Sequence, residues 1–292
     1  MKNLATALEG NYFVVTCELS PPKGTDLSDL YAKADSLKTR IAAFNLTESA
    51  TARMTMDPVI AGHFLMQRGI EPIVQFTSRD KNRIAIQSSL LGAAALGVPN
   101  VMFMGGDPPK IGDHPDTKPV FDLYTNQMIE AAAALKNGKD YGGNDIKGNP
   151  EFLIGSVFNP CANDIDGEVE NTKRKIDGGA QFFQTQAIYD IEPFVEFMNK
   201  LNAPDIIVLA GIIPIKSVKM ATYMNERVPG INIPDAMIQR IADATEKDSV
   251  VEESLAIAAN TIGELKNLCK GIHIMAIGWE KHIPVMLDMS GL

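Results

Sequence analysis

The feature that most constrains this chain is a repeated alternation. Short apolar, β-branched runs recur along it, separated by stretches with helical periodicity. The runs fall at 13–19, 42–48, 71–77, 100–106, 152–159, 182–188, 206–212 and 271–277. Strand–helix alternation builds a parallel sheet, because each parallel strand is reached by a crossover. Eight strands is the number that closes a (β/α)8 barrel. A doubly wound open sheet would alternate in the same way, but no G-x-G-x-x-G follows the first run. The expected fold is therefore α/β, a TIM barrel forming one domain over residues 1–292. Residues 234–268 hold two amphipathic segments, so an extra helix is expected before the last strand. The other helices are expected from Asp26 or Ser28 to about Thr39, from Asp57-Pro58 to before Gly69, and near 79–96, 121–136, 166–178, 190–201 and 216–227. Two connections are long, 107–120 and 137–150; the second is polar and Gly-rich and is expected to be mobile.

A hydrophobic share of 45% is enough to fill such a core. No apolar run approaches the roughly 20 residues that span a bilayer. The N-terminal segment is too short and too polar for a secretory signal. Cys17, Cys161 and Cys269 lie far apart with no C-x-x-C spacing, which fits a reducing, cytoplasmic setting. A net charge of −9 argues against a nucleic-acid surface. His63, His114, His273 and His282 form no paired ligand spacing, so no metal is expected.

In a barrel of this kind the site lies at the C-terminal ends of the strands. Those ends carry Glu18, Thr47 with Glu48, Gln75 with Thr77, Asp107, Asn159, Gln186 with Tyr189, Pro214 and Trp279. Polar residues at nearly every end, above apolar strand interiors, suggest a pocket for a polar ligand. Glu18 closes an apolar strand just before Pro21-Pro22. A buried charge there costs several kcal/mol unless paired. Either it is a general acid with a raised pKa or an edge residue turned to water or to a nearby lysine. Gly105-Gly106-Asp107-Pro108-Pro109 allows close backbone approach to a flat ligand and holds Asp107 at the mouth, though a turn aspartate has the same signature. Lys173-Arg174-Lys175 sits on a helix, where at most one or two of the three face one way; a solvated face is the alternative.

In their order and spacing, Glu18-x-x-Pro21-Pro22, Asn45-Leu46-Thr47, Gly106-Asp107-Pro108-Pro109, Lys173-Arg174-Lys175-x-Asp177-x-Gly179-Ala180, Thr185-Gln186 and Gly211-Ile212-x-Pro214 resemble the methylenetetrahydrofolate reductase family. The likeness runs from about residue 13 to 284, and the segment 271–280 looks like that of short bacterial members. The resemblance implies a flavin-containing barrel that reduces 5,10-methylenetetrahydrofolate to 5-methyltetrahydrofolate by hydride transfer through flavin N5. It implies Glu18 as general acid toward N10, and Asp107 as a second catalytic group near flavin and pterin. Gln186 and Thr47 would bind substrate. Thr47, Gln75, Gly106, Asp107, Asn159, Glu168, Asn171 and Lys175 would hold the cofactor, with Glu168 and Lys175 at its sugar and phosphate. The pattern departs at Gly105, where the family has arginine, at Gln75 for histidine, at Asn159 for tyrosine and at Trp279 for arginine. The lost cation at Gly105 leaves FMN as the alternative to FAD. NAD(P)H or an electron-delivering partner subunit is the implied donor, and a homo-oligomer is expected from fold alone. The rival classes are a pterin-dependent methyltransferase without flavin and a non-catalytic barrel subunit.

Overall fold

The computed structural model describes residues 3–292. Met1 and Lys2, part of the expected 1–292 domain and of the polar N-terminal segment, lie outside the described residues. All eight expected strands form: β1 (Val14–Leu19), β2 (Ala43–Leu46), β3 (Pro72–Thr77), β4 (Asn100–Met104), β5 (Leu153–Phe158), β6 (Phe182–Ala187), β7 (Val208–Ile212) and β8 (Gly271–Ile274). Each pairs in parallel with the next, and β1 pairs with β8 through Thr16 opposite His273, closing the barrel.

The crossover helices follow the apolar periodicity. α2 (Ser28–Leu37) starts after Asp26, whose carboxylate accepts from the Ser28 amide and hydroxyl. α3 (Pro58–Met66) has Pro58 in its first turn and Asp57 capping Val59 N–H. α4 (Arg83–Ala95), α5 (Thr125–Lys136), α6 (Ile165–Asp177), α7 (Ile191–Leu201) and α8 (Val218–Arg227) complete the regular units. The extra helix is present: α9 (Asp235–Glu246) and α10 (Val250–Leu265) both precede β8.

Two features differ from expectation, and one expected loop carries hydrogen bonds of its own. α4 begins at Arg83, not 79, because the Asn82 side chain caps the Ile84 and Ala85 amides and frees 79–82 as a loop at the mouth. The Gly-rich stretch 138–144 is a built turn, with Asp140 and Asn144 bonding each other's amides and Lys139 bridging to Asp145. Two helices had no sequence expectation, α1 (Leu4–Glu9) and α11 (Ile283–Met289). α1 lies under the barrel, with Leu4 N–H bonded to the Glu71 carboxylate and Leu4 and Leu8 packed on Val14, Ala43, Ile73, Met102, Phe182 and Leu209. That apolar set plugs the N-terminal end of the barrel. Among the described residues, three further cores lie around the barrel, one of them containing the stacked pair Phe158–Phe197 at 4.8 Å.

Candidate active site

Inward-facing residues alternate along each strand. Moving up β1 from the plug, Thr16 is followed by Glu18; on β2 Asn45 is followed by Thr47, on β6 Gln184 by Gln186, and on β8 His273 by Met275. At the C-terminal end these side chains open into a cavity of about 550 Å³. Its lining includes the ten residues that the family resemblance assigned to the site, Glu18, Thr47, Gln75, Gly106, Asp107, Asn159, Glu168, Asn171, Lys175 and Gln186, whereas the strand-end residues Tyr189, Pro214 and Trp279 lie outside it.

Glu18 sits low in this cavity. Its carboxyl is pushed up to about 7, first by removal from water and then, in the same direction, by the charge of Asp107; a hydrogen bond from Gln75 opposes this. The group therefore holds a proton near neutrality and can give it up, as a general acid must. Among the described residues no cation is paired with it, so the reading as a lysine partner finds no support there.

Asp107 is exposed at the rim. Its carboxylate accepts from Thr51 N–H at 2.9 Å and its backbone carbonyl accepts from Arg79 Nη1 at 3.0 Å. Thr51 belongs to a segment in which Ser49, Thr51 and Ala52 all have positive φ, near 50°, a region that non-glycine residues rarely occupy. The preceding Gly106 has φ +83°, and an added Cβ would stand 3.0 Å from Thr77 Cβ. Glycine is thus required there, and the backbone borders the cavity with no side chain between.

Beyond the neighbouring strand β5, Glu168 on α6 organises a polar corner. It accepts from Asn159 N–H at 3.1 Å and Asn171 Nδ2 at 3.0 Å and stands 3.7 Å from Lys175 Nζ. Lys175 is only 4% exposed, and its Nζ also donates to the Val157 carbonyl at 2.6 Å. Burial pushes its pKa down, against the pull of Glu168. Of the three basic residues in a row, one faces the cavity, as helix geometry requires. Gln186 lies where the β6–β7 register breaks, and its Oε1 accepts from Ala187 N–H. Such irregularities re-aim a side chain beside a site.

The structure adds residues that were not assigned to the site: Arg79, Gln184, His273 and Glu48, the last named only as a strand-end residue. Arg79, within the stretch expected to be helical, is 2% exposed and binds the Ser49 and Asp107 carbonyls and the Asp80 carboxylate. It ties together the loops after β2, β3 and β4. A cation from the loop after β3 thus reaches the backbone of Asp107, two residues after Gly105. Glu48 is buried and accepts from Thr77 N–H and Oγ1, with Lys81 as its ion partner. Gln184 and His273 line the cavity floor. Period-two spacing marks Gln184 in the sequence, since it precedes Gln186 by two and so shares its face. Nothing local marks Arg79, whose partners come from two other loops.

A flavin-like group is tested by these donors. The open backbone at Gly105-Gly106 admits a flat ring. Lys175, with donors beyond those on Val157 and Glu168, and the Asn171 amide can meet a sugar phosphate. The residues present fit such a group.

A family model described as methylenetetrahydrofolate reductase matches residues 3–291. Methylenetetrahydrofolate reductase 1 of Schizosaccharomyces pombe is 25% identical over 290 residues, covering 94% of this chain and 45% of the yeast protein. The 5,10-methylenetetrahydrofolate reductase of Pectobacterium carotovorum is 25% identical, with 83% and 78% covered. The chain thus spans under half the length of the yeast relative. Among solved structures, an uncharacterised Clostridium thermocellum protein described as binding two copies of 5-methyl-5,6,7,8-tetrahydrofolic acid superposes with a TM-score of 0.65 at 16% identity, covering 98% of this chain and 96% of that one. At that identity the likeness is one of fold. A match over almost the whole described length, on a barrel whose mouth gathers the expected side chains, is decisive: the chain belongs to the methylenetetrahydrofolate reductase family.

Proposed function

We propose that this protein reduces 5,10-methylenetetrahydrofolate to 5-methyltetrahydrofolate with the help of a bound flavin. The observation that carries the reading is Glu18, a carboxyl poised near neutrality, hydrogen-bonded by Gln75, in a cavity lined by the nine other expected residues. Two family relatives carry this activity in their names, and a protein of the same fold is described as binding the product.

When bound, the flavin supplies the hydride. Everything else falls to this chain's residues. Glu18 gives its proton to N10 of the substrate, so that the five-membered ring opens to an iminium cation ready to accept hydride. Burial serves this step, because an exposed glutamate would already be ionised at neutral pH. The Asp107 carboxylate, fixed by Thr51 N–H, stabilises the cationic iminium through its charge. Gln186 and Thr47 orient the pterin. Gln75 hydrogen-bonds Glu18 and fixes the direction in which the acid points. Asn159, Glu168, Asn171 and Lys175 hold the cofactor's sugar and phosphate, while Gly106 lets the ring lie against the backbone.

The visible spectrum of the purified protein, followed by release and identification of any chromophore, tests the reading. A yellow protein with stoichiometric FAD or FMN is expected. A colourless protein that takes up neither flavin would overturn it and favour a methyltransferase acting on a pterin.

A further inference from the structure

Beneath the cavity, four polar side chains from four strands meet inside the barrel. Thr16, Asn45, Gln184 and His273 are all 3% exposed or less. Buried polar groups are costly unless each is satisfied, and their hydrogen bonds can be followed atom by atom. Asn45 Nδ2 lies 3.4 Å from Met102 Sδ and 2.8 Å from Gln184 Oε1. A thioether only accepts, so this atom is the amide nitrogen and Asn45 Oδ1 is left to accept from Gln184 in a reciprocal amide pair. Gln184 Nε2 then donates to Asn45 Oδ1 at 3.0 Å and to Thr16 Oγ1 at 3.2 Å, which uses both its protons.

Thr16 therefore receives a hydrogen bond and has one proton of its own to give. Two acceptors are near: the Ile272 carbonyl at 3.4 Å and His273 Nδ1 at 3.0 Å. The hydroxyl proton goes to one of them: to Nδ1, the shorter contact, or to the Ile272 carbonyl, in which case Nδ1–H donates to Thr16 Oγ1. With Nδ1 accepting, the neutral imidazole carries its proton on Nε2. Burial keeps the ring neutral, pushing its pKa down to about 3. Among the described residues, the one hydrogen bond given to this ring is through Nδ1, and the ring borders the cavity.

We infer that His273 is a ligand-binding residue, offering an Nε2–H donor at the cavity floor in a tautomer set by the relay Asn45–Gln184–Thr16. Its partner is a planar heterocycle that presents a carbonyl oxygen or an unprotonated ring nitrogen at its innermost edge. Flavins and pterins share that chemistry; only this choice of ligand rests on the function proposed above. A ligand lacking the acceptor would leave a buried donor unpaired, which makes the residue selective as well as adhesive.

Long-range proton–nitrogen correlation spectra of protein labelled with ¹⁵N-histidine read the tautomer directly. The wild type is expected to show His273 as the Nε2–H form. Thr16→Val should mix or reverse the tautomers, and Thr16→Ser should restore the wild-type pattern. Titration with FMN, FAD and 5-methyltetrahydrofolate, each separately, should move the Nε2–H proton for the ligand that occupies the floor. His273→Leu should bind that ligand about 10-fold more weakly, the size of one hydrogen bond, and His273→Gln, which keeps an N–H donor, less so. A wild-type Nδ1–H tautomer overturns the inference even if flavin binds and the reductase reading stands. So does an Nε2–H proton that none of the three ligands perturbs. Failure of the protein to take up any flavin sinks the reductase reading alone, because the tautomer and the folate titration still decide the role of His273.

Discussion

The two ends of this barrel are built on opposite principles. The N-terminal end is a dry plug: Leu4 and Leu8 of α1 close it over Phe182, Met102, Ile73 and Leu209. The C-terminal end is a wet mouth where Glu18, Asp107, Gln186 and Lys175 surround open volume. The same strands serve both, and two residues along a strand separate an apolar contact from a polar one. Between them lies the layer of Thr16, Asn45, Gln184 and His273. The plug pins the strands by packing, which is what allows the mouth to hold groups at unfavourable protonation states and backbone angles. Stability and chemistry are thus assigned to different ends, and substitutions should separate them.

The largest effect is expected at the mouth. Glu18→Gln should lower folate reduction by about 10²–10⁴-fold, the usual contribution of a general acid, while reduction of the flavin by its donor survives. Stopped-flow measurement of the two half-reactions checks this, and unchanged folate reduction would remove Glu18 from its role. The same substitution should leave the fold intact or improve it. The folded-state pKa of Glu18 is raised, so the stability this group contributes is present below its ordinary value near 4.5 and lost as pH rises through about 7. Glutamine carries no charge. Chemical denaturation at pH 8 should therefore find the variant more stable than the wild type, by on the order of 1–3 kcal/mol, and at pH 4 little different.

The plug should behave in the reverse sense. Phe182 is fully buried against the floor, and Phe182→Ala should cost about 3–5 kcal/mol, read by urea denaturation, with chemistry at low temperature largely kept. A selective loss of turnover without loss of stability would show that the two ends are not independent. Gly155 touches the same ring from β5: a Cβ there would come within 2.5 Å of Phe182 and 2.9 Å of Met102. Gly155→Ala should overpack the plug and cost about 1–3 kcal/mol, visible as a lowered Tm.

The smallest expected effect sharpens the electrostatics of the mouth. Asp107 raises the Glu18 pKa through its charge, behind the larger effect of burial. Asp107→Asn should move the alkaline limb of the pH–rate profile for folate reduction to lower pH, by less than one unit. A shift to higher pH would contradict the assignment of that limb to Glu18.

How much of this was legible in the chain differs by element. The eight strands and the extra helix before β8 follow from periodicity, because burying one face of a strand or helix imposes a local pattern. Glu18, Asp107 and Gln186 were findable because strand ends in a closed barrel converge on one place wherever they lie in the sequence. α1 escaped notice since its six residues carry too little pattern and its burial depends on a barrel end formed by residues up to 205 positions away.

The sequence by itself determined the barrel, its closure number and the polar inventory of the mouth, since these rest on patterns of two and 3.6 residues and on where strands end. Tertiary structure alone decided the rest. Arg79 became a tie between three loops, Lys175 a buried partner of Glu168, and Thr16 a hydrogen-bond partner of His273 across the barrel closure. Each outcome depends on desolvation and hydrogen bonds between residues far apart in the chain, and neither quantity exists until the sheet closes.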